Sequence, residues 1–124
     1  MEGLDILEYS GEGYKRVVNY ESWTVASLNW APHFEEKNIV DLERHNLTDE
    51  VFVLLQGKAT LLVGEKAERV EMQPLKFYNV RAGVWHNIFV SKDARVLIAE
   101  NASTSRANSD FLSLKTGEIF QKQP

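Results

Sequence analysis

The feature that most constrains the fold of this chain is a hydrophobic repeat of two residues, broken by turn signals about every ten residues. Short runs rich in β-branched and aromatic residues recur between residues 14 and 100, and Gly, Pro, Asn and Asp separate them. Strands at this spacing are typical of a sandwich or barrel rather than of alternating strands and helices. The expected strands are two within 14–30, then 50–55, 59–63, 69–72, 77–80, 85–90 and 95–99.

Several of the expected strands are apolar on both faces, as 52–55 and 88–90 show. A strand buried on both faces lies between two layers, and a closed or double-sheet arrangement also protects the strand edges. We therefore predict an all-β jelly-roll barrel that forms a single domain over residues 1–124. Its barrel core is expected over about 14–100 and a C-terminal extension over 101–124, with at most a short helix near the C-terminus.

Composition excludes several classes of function. The chain of 124 residues is about one domain long, its net charge is −4 and its basic residues are scattered singly, so no nucleic-acid partner is expected. The absence of cysteine excludes disulfides, thiolate metal sites and cysteine nucleophiles. No run of about 18 apolar residues occurs, and the opening residues contain no signal-peptide-like run, so we expect a cytoplasmic protein without a membrane partner.

In two of the expected strands, the first residue on an otherwise apolar face is polar. If 46–49 is a turn, Glu50 opens the apolar face of its strand, and His86 opens another. Glu43 and His45 are two residues apart and share a face of an extended strand. A carboxylate that opens an apolar face beside an imidazole needs a partner, and a divalent cation is one. Two imidazoles and one or two carboxylates suit Fe(II), Mn(II), Zn(II), Ni(II) or Co(II).

The spacing of these residues resembles the first motif of the cupin family, in which His-x-His is followed by four residues, Glu, six residues and Gly. His45, Glu50 and Gly57 match that spacing in this chain. Glu43 stands where the family has its first His, and Lys37 where it has an earlier Gly.

The second cupin motif is similar to the segment from Leu75 to Val90. Gly83 and His86 stand where that motif has Gly and His. The chain departs from the motif where its opening Gly, its Pro and its final Asn are replaced by Leu75, Arg81 and Val90.

The resemblance covers roughly residues 37 to 100 and implies a cupin-type double-stranded β-helix with a metal-binding pocket inside the barrel. The metal ligands that it implies are His45, Glu50 and His86, with Glu43 in place of the family's remaining histidine. It implies a small-molecule ligand but selects no reaction. A metal-dependent isomerase, lyase or oxygenase and a non-catalytic ligand-binding or sensor module without a functional metal site both remain open.

An enzyme would also need an acid or base that is not a ligand, and Tyr78, His33 and Glu43 are the candidates. Arg44 and Arg81 are expected at the surface, with an anion site at the barrel mouth as the alternative.

Trp85, adjacent to His86 in a strand, is expected to point away from it. Glu100 ends its strand and is expected to be solvated. A small jelly roll has open edge strands, and the apolar run 17–30 is long enough to cover a partner's sheet, so we also predict a homodimer.

Overall fold

The computed structural model describes residues 2–123, which form two facing β-sheets. The strands are β1 (Tyr14–Tyr20), β2 (Trp23–Asn29), β3 (Asp41–His45), β4 (Glu50–Gln56), β5 (Ala59–Val63), β6 (Glu68–Glu71), β7 (Phe77–Val80), β8 (His86–Val90), β9 (Arg95–Asn101), β10 (Ser109–Ser113) and β11 (Ile119–Phe120). Short 3₁₀ helices span Pro32–Phe34, Glu36–Asn38 and Arg106–Asn108. None of the described helices is long and apolar enough to cross a membrane.

The first sheet has the strand order β1-β2-β9-β4-β7 and the second has the order β11-β10-β3-β8-β5-β6. Neighbouring strands pair antiparallel throughout both sheets. Consecutive strands therefore cross repeatedly from one sheet to the other, as in a jelly roll. The all-β fold predicted from the two-residue period is confirmed.

The main core fills the space between the sheets with the inward-facing residues of each strand. Leu28, Phe52 and Ile98 come from the first sheet, and Leu61 and Ile88 come from the second. All five side chains are almost fully buried, because the alternation along each strand directs every second residue inward. The same alternation directs the site residues into the barrel.

Two segments differ from the predicted strand pattern. The two 3₁₀ helices within 32–38 lie far from the C-terminus, and the first begins at Pro32, whose fixed φ and missing N–H suit the start of a helix. The C-terminal segment contributes β10, which pairs with β3 along its whole length. This pairing brings Ser109 opposite His45.

Two glycines of the cupin-like motifs have backbone conformations that connect the site strands. Gly57 follows β4 with φ +75°, and a Cβ there would lie 2.7 Å from the Cα of Ala94, so a larger residue does not fit. Gly83 has φ +83°, and its N–H donates to the His45 carbonyl oxygen at 2.8 Å. The loop before β8 is thereby tied to the end of β3, which brings His86 to the level of His45.

Candidate metal centre

The candidate site lies where strand ends from both sheets meet at one end of the barrel. His45 is the last residue of β3, while Glu50 and His86 are the first residues of β4 and β8. Strand register supplies two further side chains, because Glu43 lies opposite His86 and Glu100 lies opposite Glu50. The site is therefore assembled from cross-strand pairs.

The Oε1 atom of Glu50 lies between the two imidazoles. It is 3.1 Å from Nε2 of His45 and 3.0 Å from Nε2 of His86. Glu50 is 6% exposed and His86 is 2% exposed, so bulk water does not solvate this group. Glu43 is half-buried, with its Oε1 at 4.0 Å from Nε2 of His45. The structure thus brings together all four residues that the sequence suggested.

Hydrogen bonds on the far side of each ring determine its tautomer. The hydroxyl of Ser109 donates to the Ser105 carbonyl oxygen at 2.6 Å, so its oxygen must accept from Nδ1–H of His45 at 2.8 Å. Nδ1 of His86 lies 3.0 Å from the Val84 carbonyl oxygen, which can only accept. In both histidines Nδ1 therefore carries a hydrogen, and Nε2 of the neutral ring carries a lone pair directed at Glu50.

Three acceptor atoms consequently converge: two Nε2 atoms and one carboxylate oxygen. They repel one another unless protons or a cation lie between them. Ligands at right angles on an ion, each about 2.1 Å from it, lie about 3.0 Å apart, which matches the observed separations. The donor set therefore fits a divalent transition-metal ion.

The same contacts alter the acid–base properties of the group. Burial lowers the pKa of His45 and His86, but the hydrogen bonds and charge of Glu50 outweigh it and raise both pKa values above the usual histidine range. Burial raises the pKa of Glu50, yet the two imidazoles lower it further and leave it well below its usual range. The pKa of Glu43 is raised, chiefly by burial.

Glu100 is a part of the site that the sequence analysis missed, and the expectation that it is solvated is wrong. It is 9% exposed, accepts a hydrogen bond from the Tyr14 hydroxyl and lies 3.4 Å from Nη2 of Arg16. Burial and the nearby Glu50 carboxylate raise the pKa of Glu100 to about 7. The alternation of side chains along β9 could have indicated this, because Glu100 is two residues beyond the inward-facing Ile98 and therefore lies on the same face of the strand.

Among the described residues, two overlapping sets of three could each hold an ion. They are Glu43, His45 and His86, and His45, Glu50 and Glu100, and within each set the ligand atoms lie within 4.8 Å of one another. His45 belongs to both sets. The two sets together surround one end of a cavity.

This cavity has a volume of about 290 Å³. Such a volume is at the lower end of the range found for ligand-binding pockets. Its wall is apolar, formed by Leu28, Phe52, Ile88 and Ile98. Polar residues of the segment 104–106 line its rim. The arrangement offers room for a small organic molecule beside the candidate metal ligands.

The other candidate acids or bases lie elsewhere. The Tyr78 hydroxyl accepts a hydrogen bond from the Gln73 N–H at 2.8 Å, and Tyr78 does not line the barrel cavity. His33 stacks against Phe34 with ring centroids 4.2 Å apart and also lies outside that cavity lining.

The arginines that the sequence suggested for an anion site are also outside the cavity lining. Arg44 is paired with Asp110 at 2.9 Å and lies 4.3 Å from the centroid of the Trp85 ring. Trp85 packs in a separate cluster with Leu42, so it points away from the cavity as expected. Arg81 is exposed and does not line the cavity.

Comparisons with known proteins identify the architecture. No family model and no curated protein sequence matches the chain. A cupin-2 domain containing protein from Shewanella frigidimarina superposes with a TM-score of 0.58 at 16% identity, over 75% of this chain and 84% of that chain. An RmlC-like cupin with a double-stranded β-helix fold, from Methanocaldococcus jannaschii, gives 0.57 at 12% identity, over 82% and 93%. The chain has a cupin fold.

A third cupin-fold neighbour is Pac13 of Streptomyces, described as a unique nucleoside dehydratase. It superposes with a TM-score of 0.62 at 10% identity, over 86% of this chain and 85% of that chain. Related structures of Pac13 variants contain uridine. At these identities the neighbours establish the cupin fold of this chain and leave its chemistry to its own residues.

The position of Glu50 between two imidazoles generates a direct test. In metal-free protein, Glu50→Gln should lower the pKa values of His45 and His86 relative to the wild type. The carboxylate that contributes most to raising them is lost, while the burial that lowers them remains. A pH titration of the imidazole resonances by NMR measures this, with the exposed Glu118→Gln as the matched control. Unchanged or higher pKa values in Glu50→Gln would contradict the assigned contacts.

Proposed function

We propose that this cupin-fold chain holds a divalent transition metal inside its barrel and acts on a small organic molecule there. The observation that supports the proposal is the convergence of three acceptor atoms, from His45, Glu50 and His86, without a hydrogen between them in the neutral tautomers. Glu43 is the fourth ligand of the proposed set. A bound cation of this kind supplies Lewis acidity, polarising a carbonyl or acidifying water.

The surrounding residues hold the ligands for this role. Ser109 and the Val84 carbonyl fix the imidazole orientations from behind, as the outer partners of metal-ligating histidines commonly do. A mixed set of imidazoles and carboxylates favours Fe(II), Mn(II), Zn(II), Ni(II) or Co(II) over ions that prefer oxygen alone. Because the site is buried at the end of a cavity, a small molecule that enters the cavity comes close to the ligands.

Metal binding should stabilise the folded protein. At free metal a hundredfold above its dissociation constant the gain is about 2.7 kcal/mol, and we expect a rise in melting temperature of about 10 °C for a domain of this length. The measurement is a melt of chelator-stripped protein with each of the five cations. Lower pH should diminish the rise because protons compete with the cation for Nε2 of both histidines.

Matched variants make this test specific to the site. His86→Ala should remove most of the rise, whereas His33→Ala, the same change outside the cavity, should leave it intact. Glu43→Gln should weaken metal binding by about tenfold if its carboxylate is a ligand, and Glu118→Gln should not. If no cation shifts the melt and none copurifies, the non-catalytic binding module without a metal becomes the better proposal.

Proton-transfer chemistry is the reaction type that the cavity supports best. Tyr14 and Glu100 place a hydroxyl and a carboxyl group in the cavity lining, and they share a hydrogen bond next to the Glu50 carboxylate. An isomerase or a lyase uses such a pair to give and take protons in its central step, whereas the central step of an oxygenase is the incorporation of dioxygen. We therefore place these two classes ahead of the oxygenase.

Product masses distinguish the three classes. Metal-loaded protein should be incubated with small sugars, keto acids, aromatic diols and uridine, the last because it is bound in Pac13 structures. We expect a product that has lost water or whose mass is unchanged, and Tyr14→Phe should slow its formation by about a hundredfold. A product that has gained oxygen would contradict the proton-transfer classes.

We also propose that the chain forms a homodimer through the outer face of the first sheet. An antiparallel sheet with one solvated face normally carries polar residues outward, yet this face is largely apolar. Its groove is lined by Leu7, Val18, Val25, Leu55 and Leu97. A second copy is the proposed occupant, because a twofold interface pairs one patch with itself. The exposed Leu4 and Ile6 next to it would extend the buried area.

Light scattering coupled to gel filtration tests the dimer. Wild-type protein at micromolar concentration should have twice the monomer mass, and Leu55→Glu should shift it to the monomer because a charge would be buried at the interface. Val40→Glu introduces the same charge at an exposed site outside that groove and should leave the dimer intact. A monomeric wild type, or a dimeric Leu55→Glu, would contradict the proposed interface.

A further inference from the structure

We infer that the barrel cavity selects small organic anions and that Arg106, on its rim, is the residue that recognises their charge. The inference rests on the proposed function, since it names the class of molecule that would lie beside the metal ligands. Arg16 and Arg106 are the arginines in the cavity lining. Their hydrogen bonds show which of them is available to a ligand.

Arg16 is committed to the protein. Its Nη1 donates to the Ala102 carbonyl oxygen at 3.2 Å, and its Nη2 donates to the Thr104 carbonyl oxygen at 2.9 Å. Nε donates to the Tyr14 hydroxyl, and Nη2 also contacts Glu100. The guanidinium therefore makes four hydrogen bonds within the protein, and two of them attach the segment after β9 to the barrel.

Most of the N–H donors of the Arg106 guanidinium make no hydrogen bond within residues 2–123. Within residues 2–123 its guanidinium makes one hydrogen bond, from Nη1 to the Gln123 carbonyl oxygen at a long 3.4 Å. The side chain is exposed to solvent and also lines the cavity. A guanidinium has five N–H donors in a planar fork that matches a carboxylate, so this group can bind an anion at the rim.

The backbone that carries Arg106 is held in place. The 3₁₀ helix Arg106–Asn108 begins with a reciprocal capping box between Ser105 and Asn108. The preceding Thr104 hydroxyl is hydrogen-bonded to the Thr48 hydroxyl at 2.7 Å. The guanidinium therefore projects from an ordered rim, which reduces the entropy that binding would cost.

The charge balance of the cavity also favours an anion. Glu50 lies between two imidazoles, and Glu100 contacts the guanidinium of Arg16. Glu43 is assigned to the proposed metal. Glu50 and Glu100 thus have compensating neighbours, and the proposed metal would compensate Glu43, whereas within residues 2–123 no carboxylate pairs with Arg106.

The cavity wall indicates the remainder of the ligand. Leu28, Phe52, Ile88 and Ile98 can contact only an apolar body, and the volume of about 290 Å³ limits its size. A small carboxylate with an aliphatic or aromatic body fits these walls, with its charge at the rim. A neutral molecule of the same shape would leave the guanidinium without its partner.

Matched acid and amide probes test the inference by calorimetry. Benzoate and benzamide, and lactate and lactamide, differ mainly in charge. Manganese-loaded wild-type protein should bind the acid of at least one pair about tenfold more tightly than the amide. Arg106→Gln should abolish this preference. Arg81→Gln, the same change at an exposed arginine outside the cavity lining, should keep it.

Metal content, measured on every sample, separates the two proposals. If wild-type protein retains none of the five candidate cations, the metal proposal fails, and the acid and amide probes are compared on metal-free protein, where the same Arg106-dependent preference is expected. The anion inference is overturned if neither acid binds at millimolar concentration. It is likewise overturned if acid and amide bind equally, or if the preference persists in Arg106→Gln.

Discussion

The buried carboxylate of Glu50 is the constraint on which the rest of the site depends. A carboxylate removed from water costs several kcal/mol unless neighbouring groups replace its solvation. Here the replacements are two imidazoles at 3.0 and 3.1 Å, contributed by two strands of the opposite sheet. Strands β3, β4 and β8 must therefore begin or end at the same level of the barrel. A shift by one residue in any of them would turn its site residue to the other face.

Contacts between segments distant in sequence hold the site ends of these strands at the same height in the barrel. The C-terminal strand β10 pairs with β3 and brings Ser109 behind His45, while the N–H of Gly83 holds the loop before β8 against the His45 carbonyl oxygen. On the other sheet, β9 pairs with β4 and brings Glu100 opposite Glu50. The contacts that orient the ligands thus come from parts of the chain distant in sequence. Removing the segment after β9 would take away the hydrogen bond that determines the tautomer of His45.

The sequence predicted those parts of the structure that depend on local alternation. The strands, the shared face of Glu43 and His45 and the outward direction of Trp85 all follow from a period of two. Contacts that depend on sheet order were not predictable in this way. Nothing local indicates that β10 lies beside β3, or that the loop after β9 brings Arg106 to the rim. Glu100 was missed for another reason. The alternation along its strand places its side chain on the inner face, but its position near the strand end led to the expectation that it is exposed to solvent.

The pKa directions indicate how this pocket would balance its charges with and without the proposed cation. Without it, the raised pKa values mean that His45 and His86 each bind a proton more readily than a free histidine does, and a proton on either Nε2 atom is donated to Glu50. Replacing two such protons by one divalent ion leaves the total charge between the rings unchanged. The outer hydrogen bonds from Nδ1 to Ser109 and to the Val84 carbonyl are the same in either state, so they need not rearrange. The folded chain therefore supplies a preorganised site in which uptake of the proposed metal would chiefly be an exchange with protons.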